Sequence, residues 1–412
     1  MRIHLASRFS SHNQLTFLLI LFVKLVIGLF GVLLIIIIRC FIDIRIGLLK
    51  SDRIGHYITE TQLTILQKNQ PRVKKRIRNE YSIWFEQNSI CNTFIRDYWR
   101  SEIKVLSNFI MAPTFSIMKF LRFPNKFFNS ALNGDRDILD QLHYQQKPNL
   151  FSSNQIENNR KIMAEIGLPQ NAKFICFHNR DSLYLRKNFP EQDYSDHDYR
   201  DSKLSNYISG LEALALRGYY ILRMGKEVAE NITPDINFHI IDYAKSSIRS
   251  DELDIFAISQ CEYFISGGSG IDAAATFFKK PVLYINYSSI GYISTWNEKL
   301  YYSNKRFLDL SDHHELSIEE IKNRHAHEVL SSKELKRKGI YLKENSPEEN
   351  LSYMLEFDDH FRGKNLNDLD RNNINQKIFW EKFPFNPELH PQNVVRCQIS
   401  NLYLNNTNIL GT

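Results

Sequence analysis

The chain has 412 residues, 43% of them hydrophobic and 13% aromatic, which is ample for two packed cores and excludes intrinsic disorder as the overall state. Its 52 Lys and Arg against 46 Asp and Glu give a formal charge of +6, too dilute over this length to mark a nucleic-acid protein but suited to an anionic surface or ligand. The five cysteines, Cys40, Cys91, Cys176, Cys261 and Cys397, are far apart in sequence, with no Cys-x-x-Cys pair, which argues against a zinc site and for a reduced compartment.

The stretch from Leu15 to Ile38 is almost wholly apolar, and about 20 such residues suffice to cross a bilayer. Lys24 interrupts it and must snorkel, so a spanning helix and a monotopic anchor both fit. No small-residue cleavage site follows, which favours a retained anchor over a removed signal peptide. Arg39, Arg45, Lys50 and Arg53 on the C-terminal flank place the body on the cytoplasmic side, an asymmetry weakened by Arg2 and Arg8.

Next, "CFIDIRIGLL" reads as a strand ending at Gly47. The loop "KSDRIGH" then leads to a helical pattern carrying Ile54, Tyr57, Ile58 and Ile65, the opening unit of an α/β domain. Residues 71–148 mix aromatic and basic side chains without a clean period, so helices are expected there but not placed. Asn149 to Ala172, rich in Asn, Gln and Ser, reads as a domain boundary.

From Lys173 apolar strands alternate with amphipathic helices. "KFICFHN", "YYILRMG", "FHIIDYA", "EYFISGGSG" and "PVLYIN" are strands; "LSNYISGLEALALRG", stopped by Gly218, "DELDIFAISQC", capped by Ser250, and "IDAAATFF" are helices. Repeated βα units make a parallel doubly wound sheet. The tail from Ser331 is charged, with a helix over Pro347 to Phe357, and is expected to pack back across the first domain.

Ligands of open parallel sheets bind at the carboxyl ends of the strands. Three strand ends carry suitable groups: His178 with Arg180, Arg223 with Gly225, and the "SGGSG" turn with Ser269 and Gly270. Two arginines converging on a glycine turn that starts a helix would hold a diphosphate by bidentate bonds and backbone N–H groups. Asp135-Arg136-Asp137 and Asp196-His197-Asp198 have Asp-x-Asp spacing but follow no apolar strand, so both read as loop or helix-start residues. His313-His314 and His325-x-His327 lack matching Cys or carboxylate partners, and no metal is expected. Neither a Gly-x-Gly-x-x-Gly fingerprint nor a Gly-x-x-x-x-Gly-Lys-Ser/Thr loop is present.

The blocks "RIGLLKSDRIGH", "FHNRDSLYL", "HDYRDSKLSNY", "GYYILRMG" and "DYAKSSIRSDELDIFAISQCEYFISGGSG" together resemble a family of bacterial glycosyltransferases of surface-polysaccharide synthesis, over most of Asp43 to Asn286. The resemblance implies a GT-B-like α/β fold, two Rossmann-like domains facing a cleft, with a nucleotide-sugar donor on the C-terminal domain and the acceptor on the N-terminal one. His178-x-Arg180 is also similar to the strand-end motif of fucosyltransferase-like enzymes, in which the arginine faces the donor diphosphate and the donor is GDP-linked; those enzymes carry a second basic residue where Asp181 stands here.

Glycosyl transfer needs positive charge on the departing diphosphate and a base for the acceptor hydroxyl. Arg180, Arg223 and the Ser269-Gly270 turn would supply the first without a metal or other cofactor. His56 is proposed for the second, with Asp52 in reserve, because an imidazole titrates near neutral pH. Arg200, in "YRDS", is read as a ligand contact within a mobile lid.

The resulting map has an anchor over residues 1–40, an acceptor-side domain over 41–160, a nucleotide-sugar domain over 161–330 and a tail over 331–412. The function expected is transfer of a sugar from a nucleotide-sugar to a glycan or lipid-linked acceptor at the cytoplasmic face of a bacterial inner membrane, with no nucleic acid involved. The competing expectation is a non-catalytic, membrane-tethered sugar- or nucleotide-binding partner of a polysaccharide assembly complex.

Overall fold

The computed structural model describes residues 11–69, 80–129, 131, 133–188, 190–232, 239–363 and 373–411; Arg2 and Arg8 lie outside them. The chain divides into two compact units, Met1–Gly134 and Asp135–Thr412.

In the first unit the apolar stretch forms helix α1 (Ser11–Arg39), which leads into strand β1 (Asp43–Leu49) and helix α2 (Ile54–Asn69). Then come β2 (Glu80–Glu86), α3 (Thr93–Glu102), α4 (Asn108–Phe120) and β3 (Phe128–Asn129). The β1–α2 unit matches the expectation, although β1 runs two residues past Gly47. Strand β2 lies in the region where no strand was foreseen: four of its seven residues are buried, on both faces, which erases alternation. Among the described residues the strands form a parallel sheet in the order β2-β1-β3. A Cβ on Gly47 would lie 2.1 Å from the Trp84 ring, so glycine is what lets the indole lie across β1. Val32 and Ile35 of α1 join Ile44, Ile46, Phe85, Met111, Met118 and Phe128 in one core.

The second unit begins before the expected boundary. Arg136 donates to the carbonyls of Ile293 (3.1 Å) and Leu389 (3.2 Å), and Arg396 donates from Nη1 and Nη2 to the two carboxylate oxygens of Asp140 at 2.5 and 2.6 Å. These bonds fasten residues 135–140 to the C-terminal unit, and the boundary moves from about residue 160 to Gly134. Its elements run α5 (Ser153–Ala164), β4 (Phe174–His178), α6 (Leu183–Asn188), α7 (Ile208–Leu216), β5 (Tyr220–Arg223), β6 (Ile240–Ile241), α8 (Asp251–Gln260), β7 (Phe264–Ser266), α9 (Asp272–Phe277) and β8 (Val282–Tyr287). There follow β9 (Leu300–Asn304), β10 (Arg306–Asp309), α10 (Ile318–Asn323), α11 (Ser332–Arg337), β11 (Ile340–Lys343), α12 (Pro347–Phe361), α13 (Ile374–Lys382), β12 (Gln398–Ile399) and α14 (Asn401–Asn406).

Among the described residues, seven of these strands form a parallel sheet in the order β12-β9-β8-β7-β4-β5-β6. The chain moves outward from β4 to β5 and β6, then returns to β7 on the other side of β4. The β4/β7 seam is therefore the topological switch point, where the two connections leave in opposite directions and open a crevice at the carboxyl ends.

The tail does not pack as expected. Strand β11 pairs with β10 in a two-stranded antiparallel sheet and β12 extends the seven-stranded sheet at its edge. Helix α12 starts at a Ser346/Glu349 capping box and puts Met354 and Phe357 into the same core as Leu211 and Leu214 of α7. Arg217 bonds both Asp358 (2.6 Å) and Asp359 (2.8 Å). The tail belongs to the second unit because its apolar residues face that sheet.

Candidate functional site

At the switch point His178, the last residue of β4, pairs in register with Ser266, the last of β7. The chain after β7 turns through Gly267 and Gly268, and the Gly267 N–H donates to the His178 carbonyl at 3.2 Å. That turn brings the Ser269 hydroxyl to 3.1 Å from His178 Nδ1. Gly225 lies against the far side of the ring: its φ is +147°, and an added Cβ would be 3.5 Å from His178 Cδ2. Gly268 has φ +84°, and its Cβ would meet the Tyr287 ring at 2.9 Å. A bulge between Ile285 and Tyr287, with Asn286 at φ +58°, is what re-aims that ring.

Burial pushes the His178 pKa down to about 4, reinforced by Arg223 and Arg180 and opposed by Asp181. The ring is neutral at pH 7, and its Nδ1 can accept from Ser269 without bringing a positive charge of its own.

Arg180 is 7% exposed. It donates to the carbonyl of His197 at 3.0 Å and pairs with Asp201. Burial, helped by the nearby charge of Arg200 and opposed by Asp201, lowers its pKa to about 10. Arg200 donates to the Gly268 carbonyl at 2.7 Å. Arg180, Arg200, His178 and Ser269 are thus brought together at the end of β4 and the glycine turn. The buried Arg180, whose charge the nearby Arg200 disfavours, makes with Arg200 an electropositive spot suited to an anion at the crevice of the parallel sheet.

The insertion carrying Arg200 is not loose at its C-terminal end. Ser202 N–H donates to the Arg180 carbonyl (3.0 Å), Asn179 to the Ser202 carbonyl (3.2 Å), and the buried Lys305 ammonium to the carbonyls of Tyr199 (3.1 Å) and Asp201. The expected mobile lid is therefore pinned over residues 199–202, because Lys305, just past β9, reaches under it. Burial lowers the Lys305 pKa.

Three further expectations change. Arg223 is fully buried, with Nη1 on the Glu230 carbonyl (2.6 Å) and on Asp242 (3.3 Å), so it cannot touch a ligand at the rim. The chain after β5 folds back over the strand end and covers it; Arg223 acts on the site as a buried charge beside His178. The turn amides are also engaged internally: Asp272 Oδ2 accepts from the Ser269 N–H and the Ser266 hydroxyl, both at 2.9 Å, and Gly268 N–H donates to Ser266 Oγ at 3.0 Å. Instead of bare N–H groups at Ser269, the short helix α9 presents its own carboxylate. Burial pushes the Asp272 pKa up to about 6, against the bonds from Ser266 and Ser269 and the charge of Arg200. Gly270 is exposed beside it.

Third, the His313-His314 pair does have carboxylate partners: Asp309, Asp312 and His314 offer ligand atoms within 4.8 Å of one another. Asp309, however, is taken by Arg324 (2.6 Å) and by Ser311. The Asp-x-Asp pairs are structural, since Asp196 accepts from Ser331 (2.8 Å) and the Lys333 N–H (3.0 Å), and Asp137 from the N–H groups of Gln141 and Leu142. Asp181 accepts from the Leu183 and Ala229 N–H groups at 2.9 and 3.0 Å, a loop-tying role.

In the first unit the turn after β1 is tied to the chain after β2: Ser51 Oγ donates to the Ser89 carbonyl (2.8 Å) and accepts from the Gln87 N–H (3.0 Å). Asp52 N–H donates to Gln87 Oε1 at 3.3 Å. His56 Nδ1 lies 2.9 Å from Glu60 Oε1, which also accepts from Lys50 at 2.8 Å. Although burial pushes the Glu60 pKa up, the bonds from His56 and Lys50 win and hold it below the usual carboxylate range. A carboxylate on Nδ1 orients an imidazole so that Nε2 takes protons. The His56/Glu60 spacing of four on a helix was available as a signal, and sequence reasoning passed over it.

No protein-family model and no curated protein matches this chain. Among solved structures it is similar to the ADP-heptose lipopolysaccharide heptosyltransferase II of E. coli, at 10% identity over 63% of this chain and 90% of that one, with a TM-score of 0.38. It is also similar to the iron-containing dodecameric glycosyltransferase TibC from enterotoxigenic E. coli H10407, at 8% identity over 61% of this chain and 59% of that one, TM-score 0.31. The structure of TibC, there called a heptosyltransferase, with ADP-D-beta-D-heptose gives 11%, 60%, 59% and 0.28. This chain thus spans about three fifths of TibC's length. Likenesses this distant assign neither an activity nor a substrate.

Proposed function

We propose that this chain is a membrane-associated glycosyltransferase of the GT-B type, acting in surface-polysaccharide synthesis, that moves a sugar from a nucleotide-sugar to a glycan or lipid-linked acceptor at the cytoplasmic face. The observation that supports it best is the pairing of Arg180 and Arg200 beside the His178–Ser269 contact at the switch point of a parallel sheet. Two partly desolvated guanidinium groups repel each other, and a diphosphate relieves that repulsion more as the sugar departs, when negative charge accumulates on the leaving oxygen. The Ser269 hydroxyl, held in place by neutral His178, serves the same group. His56, oriented by Glu60, takes the acceptor's hydroxyl proton as the new glycosidic bond forms and the bond to the diphosphate breaks. Asp52 at the turn remains the reserve base. In this reading the reaction needs no metal.

The test uses the full chain in detergent. UDP, GDP, ADP and CMP are compared for thermal stabilisation, since a ligand bound only by the folded form raises the apparent melting temperature, and each matching nucleotide-sugar is then assayed for release of nucleotide. Stabilisation by one nucleotide and its release in the presence of membrane glycolipids are expected. Stabilisation without release under any acceptor would leave the non-catalytic binding partner as the better reading, and no stabilisation by any of them would sink both.

A further inference from the structure

Helix α1 is long and apolar enough over Thr16–Arg39 to enter a membrane, and only 17% of its most apolar window is buried, unlike a helix in the core of a water-soluble protein. Its second half is not alone. A Cβ on Gly28 would lie 3.1 Å from the Pro113 backbone, and one on Gly31 would lie 2.1 Å from Thr114 Oγ1, so the two glycines let α1 lie directly against the middle of α4.

The other side of α4 has no protein on it among the described residues. Phe109, Ile110, Phe120 and Leu121 are exposed, Phe120 at 85%. Helix α4 carries no charge before Lys119. On α1, which packs against α4, Leu29, Phe30, Leu33 and Leu34 are exposed as well. A basic collar closes the end of this surface: the Lys119 ammonium sits 3.8 Å over the Phe128 ring, and Arg39 donates to the Lys126 carbonyl at 3.1 Å, with Arg122 and Lys126 exposed beside them. Apolar side chains edged by Lys and Arg match a leaflet with anionic headgroups.

We propose that α4 is a second membrane-embedded helix, held in one leaflet beside α1, so that the lipid surface covers Phe109, Ile110 and Phe120. Thirteen residues make about 20 Å of helix at ~1.5 Å per residue, too short to cross a ~30 Å core; the helix enters and leaves on the same side.

The proposal rests on α1 lying in the membrane, and the experiment separates the two. The full chain carrying Cys40→Ser is labelled with a fluorophore at one of Phe22→Cys, Phe109→Cys, Ser116→Cys, Phe120→Cys or Lys336→Cys, and placed in phosphatidylcholine vesicles with and without phosphatidylglycerol. Labels at 22, 109, 116 and 120 should lose emission severalfold to acyl-chain nitroxides and resist iodide, whereas 336 should do the reverse. Ser116→Cys, a small change, guards against loss of folding at the aromatic positions. Quenching at 22 with iodide access at 109, 116 and 120 would overturn the proposal while sparing the α1 anchor. Labels shielded from both quenchers would also overturn it, because a second copy or another protein would then cover α4. Phosphatidylglycerol should deepen the nitroxide quenching at 120, and Arg122→Gln with Lys126→Gln should abolish that gain; a gain that survives both changes would count against the basic collar.

Discussion

The two strand-end regions handle charge in opposite ways. After β1, the half-buried Glu60 joins Lys50 and His56, and the buried Glu86 at the end of β2 accepts from Tyr57 (2.6 Å) and Arg100 (2.6 Å), so each carboxylate has its cation or donor close by. After β4 and β7, the charge of Arg200 acts against that of the buried Arg180, with Asp201 paired to Arg180 and Asp272 near Arg200. Balanced charge orients side chains; charge left in excess at a crevice invites a ligand of opposite sign.

That contrast can be broken by substitution. His56→Ala should reduce turnover by about 10²–10⁴-fold, the usual contribution of a positioned base, with nucleotide affinity unchanged by calorimetry. Glu60→Gln should do less and should shift the pH–rate profile, as a positioning residue would. Arg180→Ala should weaken nucleoside diphosphate binding by about 10- to 100-fold, the size of a lost charge-assisted bond, and Arg200→Ala should do the same. Equal losses of affinity in His56→Ala and Arg180→Ala would erase the distinction between the two regions.

A packing change sharpens it differently: Gly47→Val, driven into the Trp84 ring, should destabilise the first unit by about 1–3 kcal/mol in urea melts without altering affinity at the anion rim. The smallest effect is on pH. Asp272 has a folded pKa near 6, above its ordinary value, so it is ionised above pH 6 and there opposes a bound anion. Diphosphate affinity should therefore rise a fewfold as pH falls through 6, and Asp272→Asn should flatten that rise. His178, with its pKa lowered to about 4, stays neutral over the same interval; because an unfolded histidine protonates first, its burial removes stability as pH falls from about 6.5 towards 4.

Much of this was legible in the sequence where a local pattern and a tertiary role coincide. The strands of the second unit, Ser250 as a helix cap and the meeting of His178 with Ser269 follow from βα alternation plus the rule that parallel strands point their ends the same way. The Ser250 side chain does accept from the Leu253 N–H, at 3.1 Å. Arg223 was misread because strand-end position says nothing of what folds over the end; the chain after β5, through Glu230, does. Asp272 carries no local signal of its own in "IDAAATFF"; only the Ser266 and Ser269 contacts make it part of the turn. Strand β2, buried on both faces, carries no period to read, and β12 has two residues, too few for any. The tail was placed on the wrong unit because charge composition reports solvent exposure and not the sheet to which its few apolar side chains belong.

The seam between β4 and β7 joins residues nearly ninety positions apart, His178 and Ser266. Such a contact has a high loop-closure cost and forms late relative to local helices. Nucleotide capture should then serve as a reporter of completed assembly: a nascent or proteolysed chain with α7 and β5 already formed, but without β7 docked, would have its arginines and no place to use them.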